Sequence, residues 1–202
     1  YHYAGALLNK YNETNEAGLS NDIIHHFKRS IEIAPESYYS YLKLGSFYQV
    51  LGMQNEAEAV FSEFVSRFPD ESRPHFHYGN FLLTTGRFDR ALAELQLAAD
   101  LAPLRKDTYL SISKAYLAKR QVGKAIEVLT KAAEDFPDVA RFHAELADVF
   151  YSNKRPAEAL ESMLAVVEID PNYPGAYTAI AHLYRKLGNE EQALFYERKA
   201  QK

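Results

Sequence analysis

The fold is decided by residues 38–71, YYSYLKLGSFYQVLGMQNEAEAVFSEFVSRFPDE, whose pattern of large and small side chains returns along the chain. Proline recurs every 34 residues, at Pro35, Pro69, Pro103, Pro137 and Pro171. With the same step, alanine recurs at Ala57, Ala91, Ala125, Ala159 and Ala193, and small residues recur at Gly45, Gly79, Ser113, Ala147 and Ala181. A constant step in several columns indicates an internal repeat.

Each repeat has the spacing of two amphipathic helices. Tyr41, Gly45 and Tyr48 are separated by four and three residues, which places them on one helical stripe. Residues that suit a left-handed turn stand between the two helices at Gly52, Gly86 and Gly188, whereas Arg120 and Lys154 occupy the same position less favourably. The sequence therefore predicts antiparallel helix pairs that are joined by short turns.

A single helix pair of this kind cannot bury its apolar faces alone. Neighbouring pairs must stack, and the stacking produces a chain whose contacts are mostly local. The prolines that recur every 34 residues follow the second helix of each pair and are expected to end it. The sequence thus favours an all-α solenoid.

The repeat resembles the tetratricopeptide repeat, a 34-residue helix–turn–helix unit. The resemblance rests on the runs Tyr41-Leu44-Gly45-Tyr48-Gly52-Ala57-Pro69 and Tyr177-Ile180-Ala181-Tyr184-Gly188-Ala193. It implies a right-handed superhelical solenoid of stacked antiparallel helix pairs with about six repeats. The expected units are 38–71, 72–105, 106–139, 140–173 and an incomplete 174–202, preceded by a divergent repeat at 1–37 with an inserted segment from Asn9 to Asn21 between its helices.

Composition excludes several classes of function. The 202 residues carry a formal net charge of -4, so no positive field is expected to gather nucleic acid. No stretch approaches 18 consecutive apolar residues, and direct membrane insertion is not expected. The chain has no cysteine, which excludes disulfides and thiolate metal sites. The lack of cysteine slightly favours a cytoplasmic or bacterial-envelope location.

No residue pattern points to catalysis, a cofactor or a metal. Gly123-Lys124-Ala125 lacks the spacing of a phosphate-binding loop. Adjacent or alternate histidines, such as His75 and His77, point in different directions on a helix and cannot share a metal ion. His75 and His143 also stand in a column that elsewhere holds tyrosine, so packing is the expected role. The sequence predicts a protein that is not an enzyme.

A second stripe lies one helical step of about 100° from the core stripe, beginning with Leu42 beside Tyr41. The resemblance implies that this stripe faces an inner groove. The predicted groove residues combine an apolar row with flanking polar groups, and they are Leu42, Phe76, Asn80, Leu83, Leu110, Lys114, Leu117, Asp148 and Tyr151. Such a surface favours docking of an extended or helical partner segment. The alternative is that stacking of the repeats already covers these side chains.

The predicted function is a non-catalytic scaffold that binds a protein or peptide in this groove. Relatives of this family hold the acidic tail of heat-shock chaperones with a carboxylate clamp of basic and amide side chains. In the closest register only Asn80 and Arg141 suit that role, whereas Phe76 removes a cation, Ser111 substitutes poorly for an amide, and Glu145 repels a carboxylate. We therefore expect no chaperone-tail binding of this type.

Two other functions remain open at this level. Leu194, Phe195 and Tyr196 lie on the last predicted helix, and a solenoid end without a polar cap can associate with another copy. A self-assembling repeat, or homo-oligomer through the terminal repeats, is therefore one alternative. The other is a recruiting arm of a larger enzyme whose catalytic domain lies outside this segment.

Overall fold

A computed structural model describes residues 5–8, 10–11 and 18–201, and within these ranges the chain forms helices and turns without a β-strand. Residues 5–8 and 10–11 are helical. The helices from residue 18 onward are α1 (Leu19–Ile33), α2 (Tyr38–Val50), α3 (Gln54–Arg67), α4 (Ser72–Thr84), α5 (Phe88–Leu101), α6 (Lys106–Ala118), α7 (Val122–Asp135), α8 (Ala140–Ser152), α9 (Pro156–Ile169), α10 (Ala176–Lys186) and α11 (Glu190–Ala200).

Helices that follow one another in sequence pack together as pairs, α2 with α3, α4 with α5, α6 with α7, α8 with α9 and α10 with α11. The predicted all-α class of helix pairs is confirmed. The chain separates into two compact units, which we call unit 1 (residues 1–103) and unit 2 (residues 104–202). Unit 1 holds α1 to α5, and unit 2 holds α6 to α11.

The first repeat is described only in part. Ile23 and Phe27 of α1 are fully buried, as expected for a second helix of a pair. The sequence predicts an inserted segment from Asn9 to Asn21, whereas residues 10–11 are helical and α1 already begins at Leu19. Residues 9 and 12–17, which make up most of the segment from Asn9 to Asn21, lie outside the described residues.

Aromatic rings and glycine form the seam between the paired helices of unit 1. Tyr41 and Phe64 are buried with their rings stacked at 5.2 Å between centroids. Gly45 allows Phe61 to approach α2 closely, because a Cβ atom on Gly45 would lie 2.7 Å from the Phe61 ring. The large and small columns of the sequence therefore meet at this contact.

Aliphatic side chains together with phenylalanine fill the core of unit 2. Leu129, Phe142 and Ile180 are completely buried, and the small column there holds Ser113 and Ala147, both buried. The buried residues form one cluster around α6, α7 and α8 and another around α8, α9 and α10. Each first helix in the middle of the unit thus packs against its own partner and against its neighbour.

The turns within the pairs adopt the left-handed backbone that the sequence predicts. Gly52 and Gly86 have φ angles of 73° and 78°. Arg120 and Lys154, which replace glycine in unit 2, have φ angles of 58° and 59°. A side chain with a Cβ atom is strained in this region, so these two turns carry a conformational cost that the glycine turns avoid.

Candidate functional site

In unit 1 the predicted groove residues lie partly inside the packing. Leu42 and Leu83 are half-buried and pack against the aromatic core of the unit. Phe76 is also half-buried, with its ring 5.2 Å from that of His77. The side-chain amide of Asn80 donates a hydrogen bond of 2.8 Å to the Phe76 carbonyl. Leu42 and Leu83 therefore take part in the packing of unit 1 while keeping part of their surface accessible.

In unit 2 the prediction needs a correction at Leu110. Only 4% of Leu110 is exposed, and its side chain belongs to the same core as Leu129 and Phe142. Leu110 lies one helical step from the core stripe, and the face that α6 turns toward its neighbouring helices is wide enough to include this position. The Leu110 side chain is therefore covered. Leu117 is half-buried against this core, and Lys114 is exposed.

The structure brings Asp148 and Tyr151 together at a pocket between α8 and α10. The pocket has a volume of about 150 Å³ and is lined by Ala147, Asp148 and Tyr151 of α8, Met163 of α9, and Ala179, His182 and Leu183 of α10. Its wall is mainly apolar. The alanines at 147 and 179 leave the space that a larger side chain would fill.

Two rings mark the rim of the pocket. Tyr151 is 43% exposed, and its hydroxyl lies 2.9 Å from His182 Nε2, with the two rings edge to face at 5.7 Å between centroids. The hydrogen bond limits the rotation of both side chains. His182 follows Asp148 by 34 residues and thus stands in the same polar column of the sequence.

The charge at the rim is negative. Asp148 is exposed, and within residues 18–201 it has no ion-pair partner. Arg185, the arginine of α10, pairs instead with Glu190 at 3.1 Å and Glu197 at 2.9 Å. These hydrogen-bonded carboxylates raise the pKa of Arg185 and hold its charge toward α11. The pocket therefore combines an apolar interior with an uncompensated carboxylate.

The histidine column shows two different environments. His75 is buried in unit 1, where Nε2 donates to the Pro69 carbonyl at 2.8 Å and Nδ1 lies 2.7 Å from Glu94 Oε2. In unit 2, burial lowers the pKa of His143. His143 borders a second groove of about 290 Å³, lined also by Thr130, Leu146, Phe150, Glu158, Glu161, Ser162 and Ala165.

Across residues 5–8, 10–11 and 18–201, histidine, aspartate and glutamate side chains form no group of three that could hold a metal ion. Over the same part of the chain, no helix combines the length and the apolar character required to cross a bilayer.

Stacked helix pairs with a conserved turn position define the class of α-helical repeat proteins. Two family models described as tetratricopeptide repeat match this chain, one over residues 55–105 and 110–174 and the other over residues 163–195. The chain belongs to the tetratricopeptide repeat family. Its general role is that of a protein-interaction scaffold.

Several known proteins are similar to the chain. The BBSome complex member BBS4 homolog of Drosophila melanogaster is 22% identical over 167 residues, which cover 77% of this chain and 34% of the relative. The C-terminal part of a TPR repeat-containing protein from Cytophaga hutchinsonii is 22% identical with a TM-score of 0.74, covering 98% of this chain and 77% of that one. YrrB, described as a TPR protein with an unusual peptide-binding site, is 19% identical with a TM-score of 0.59, covering 86% of this chain and 90% of that one.

The chain spans about a third of the length of the curated relatives that it matches, between 34% and 38%. The likeness to the solved structures, at about a fifth of residues identical, establishes the fold.

Proposed function

We propose that unit 2 binds a peptide segment of a partner protein at the pocket between α8 and α10, without catalysing a reaction. The observation that carries this proposal is the exposed Tyr151–His182 pair at the mouth of an apolar pocket. An accessible aromatic anchor beside an apolar depression with a polar rim is the usual anatomy of a protein-binding surface.

The inner surface of unit 2 supports a smaller binding site than the sequence suggests. Leu110 is withdrawn into the core, whereas Leu117 keeps part of its side chain accessible on α6. The accessible groups are therefore concentrated on α8 and α10. Among the similar proteins, YrrB is described as having a peptide-binding site, which is in keeping with a peptide ligand for this chain.

The charge of the pocket favours neither nucleic acid nor an acidic chaperone tail. Asp148 would repel phosphate groups and carboxylates alike. Arg141, the basic residue that a carboxylate clamp would need, lies 3.8 Å from Glu145 and 3.9 Å from Asp107. Ser111 is buried. These positions support the expectation that the carboxylate clamp is absent.

Selection from an amidated random-peptide library on the immobilised protein tests the peptide-binding proposal. Peptides that the wild type enriches are expected to lose about tenfold or more in affinity with Tyr151→Ala, because the aromatic anchor is removed. Tyr39→Ala is the matched control, since Tyr39 is 40% exposed on α2 of unit 1. Equal losses for the two variants, or no enriched peptide at all, would contradict the proposal.

Self-association is a second candidate function, supported by the exposure of Leu194 and Phe195 on α11. Adjacent exposed apolar side chains on a helix can pair with those of a second copy. Sedimentation equilibrium is expected to show a mass that rises with concentration in the wild type and stays that of a monomer in Leu194→Glu/Phe195→Glu. A wild type that remains monomeric at millimolar concentration would eliminate this function.

A further inference from the structure

We infer that the pocket between α8 and α10 receives an arginine side chain of the partner peptide. The inference rests on the proposed function, and it adds the chemical identity of the residue that enters the pocket. It follows from three features of the site: the apolar interior, the unpaired Asp148 at the rim, and the exposed ring of Tyr151.

The interior suits the aliphatic part of a long side chain. About 150 Å³ is enough for one side chain and too little for a helix. Ala147, Ala179 and Leu183 line the space together with Met163, whose flexible thioether adapts to the shape of a neighbour. The methylene groups of arginine are commonly buried against such a surface while the charged end remains near water.

The rim suits the guanidinium group. Asp148 is exposed, and in the described part of unit 2 no cation pairs with it, because Arg185 is engaged by Glu190 and Glu197. A carboxylate accepts two parallel hydrogen bonds from a guanidinium group, an arrangement that a lysine ammonium cannot reproduce. An arginine in the pocket thus has a partner for its charge.

Tyr151 supplies a surface on which the guanidinium plane can lie. Its hydroxyl is fixed by the contact with His182, so the ring is held in place before the ligand arrives. Arginine stacks on aromatic rings more readily than lysine does. The ring and the carboxylate belong to the same helix and are three residues apart, which places them on one face.

The protein already builds this combination elsewhere from its own residues. In unit 1, Arg90 lies 5.7 Å from the ring centroid of Tyr78 and pairs with Glu58 at 3.1 Å. In unit 2, Arg155 lies 4.6 Å from the ring centroid of Phe150 and pairs with Glu158.

Those two sites consist of an arginine, a ring and a carboxylate. The pocket has the ring and the carboxylate, and the partner supplies the arginine.

Other side chains fit the pocket less well. An aliphatic residue would fill the interior but would displace water from the Asp148 carboxylate without donating a hydrogen bond to it. Losing that hydration costs free energy. An acidic residue would face a like charge at short range. Arginine is the side chain that satisfies the interior, the carboxylate and the ring together.

The test uses peptides that the wild-type protein selects from the amidated library. We expect these peptides to share an arginine, and replacing it with citrulline, which has the same shape without the charge, to weaken binding by about tenfold or more. In Asp148→Asn the difference between the arginine and citrulline peptides is expected to fall below about threefold, since the charge pair is gone. Asp135→Asn, a change at the exposed end of α7, is the matched control and should preserve the full difference.

The outcomes separate the two proposals. If the enriched peptides need Tyr151 but contain no shared arginine, or bind equally well with citrulline, the arginine inference is wrong and the peptide-binding function stands. If Asp148→Asn leaves the discrimination against citrulline unchanged, the charge does not pair with Asp148 and the inference is again wrong. If the wild type enriches no peptide, both proposals are wrong.

Discussion

Unit 1 and unit 2 build the same helix pair from different side chains. In unit 1, Gly45 faces Phe61 and Gly79 faces Leu95, and in both places an added Cβ atom would lie 2.7 Å from the opposing side chain. At the equivalent positions, unit 2 has Ser113 with Leu129 and Ala147 with Met163. Gly45 is thus opposite the largest of these partners, Phe61, whereas Gly79 and Ser113 both face a leucine, and the seam is filled in each case.

The same comparison explains why the pocket lies in unit 2. The inner positions of unit 1 carry Leu42 and Leu83, which pack against the aromatic core, and Phe76, which is half-buried. In unit 2 the lining of the pocket includes Ala147 and Ala179, whose short side chains leave the space empty. A repeat protein can therefore create a site by reducing side-chain volume at one point of a regular stack.

The largest expected effect concerns the seam of unit 1. Gly45→Ala places a Cβ atom against the Phe61 ring, and overpacking of this kind should lower the free energy of unfolding by about 1–3 kcal/mol. Urea denaturation followed by circular dichroism measures the change. Combining Gly45→Ala with Phe61→Leu should recover part of the loss, because it recreates the smaller partner that unit 2 uses.

Gly123→Ala is the matched control for this substitution. Gly123 lies within α7, and nothing stands within 4 Å of the position that its Cβ atom would occupy. The same change should there raise stability by about 0.5–1 kcal/mol through helix propensity and a less flexible unfolded chain. Equal effects at positions 45 and 123 would show that close packing does not distinguish the two sites.

The sequence predicts most of the fold because its signals are repeated. Tyr41 and Tyr48 are buried as expected, and the left-handed turns at Arg120 and Lys154 follow from the glycines in the same column. The candidate site is less accessible to such reasoning. Asp148 and Tyr151 stand in the predicted row, but the pocket beside them also depends on Met163, which belongs to a different helix, and on the absence of side-chain volume.

Leu110 shows most clearly that the exposure of a side chain cannot be predicted from helical periodicity. Helical periodicity gives the angle between two stripes of a helix, but it does not tell how much of the second stripe a neighbouring helix covers. In unit 2 the core formed with Leu129 and Phe142 extends far enough around α6 to include Leu110. Exposure at such a position depends on contacts between helices that are distant in sequence.

A smaller effect on stability is expected at the turns within the helix pairs. Gly52 and Gly86 of unit 1 correspond there to Arg120 and Lys154 of unit 2. Lys154 has a φ angle of 59°. Lys154→Gly removes the steric cost of the left-handed conformation and adds the entropic cost of glycine, so a net gain of about 0.5–1 kcal/mol is expected. The midpoint of urea denaturation measures it.

Gly86→Lys is the reciprocal change, since Gly86 has a φ angle of 78° in the corresponding turn of unit 1. It should destabilise the protein by a similar amount. A Lys154→Gly variant that is less stable than the wild type would indicate that the lysine side chain makes a contribution that exceeds the backbone strain.

The smallest expected effect is on the pH dependence of stability, at the repeat position that holds His75 in unit 1 and His143 in unit 2. Burial lowers the pKa of His143 in the folded protein below its value of about 6.5 in an unfolded chain. The unfolded state therefore binds a proton more readily, and the contribution of His143 to stability falls as the pH drops below about 6.5, until the pH reaches the folded-state pKa. His143→Leu should reduce the loss of stability between pH 7 and pH 5.

His75→Leu provides the contrast between the two units at that position. His75 is held between the Pro69 carbonyl and Glu94, so its replacement should lower stability at neutral pH by removing both hydrogen bonds. Urea titrations at pH 7, 6 and 5 measure the change of slope with pH in His143→Leu, and urea titration at pH 7 measures the loss of stability in His75→Leu. A His143→Leu slope identical to that of the wild type would mean that another group controls the acid sensitivity of unit 2.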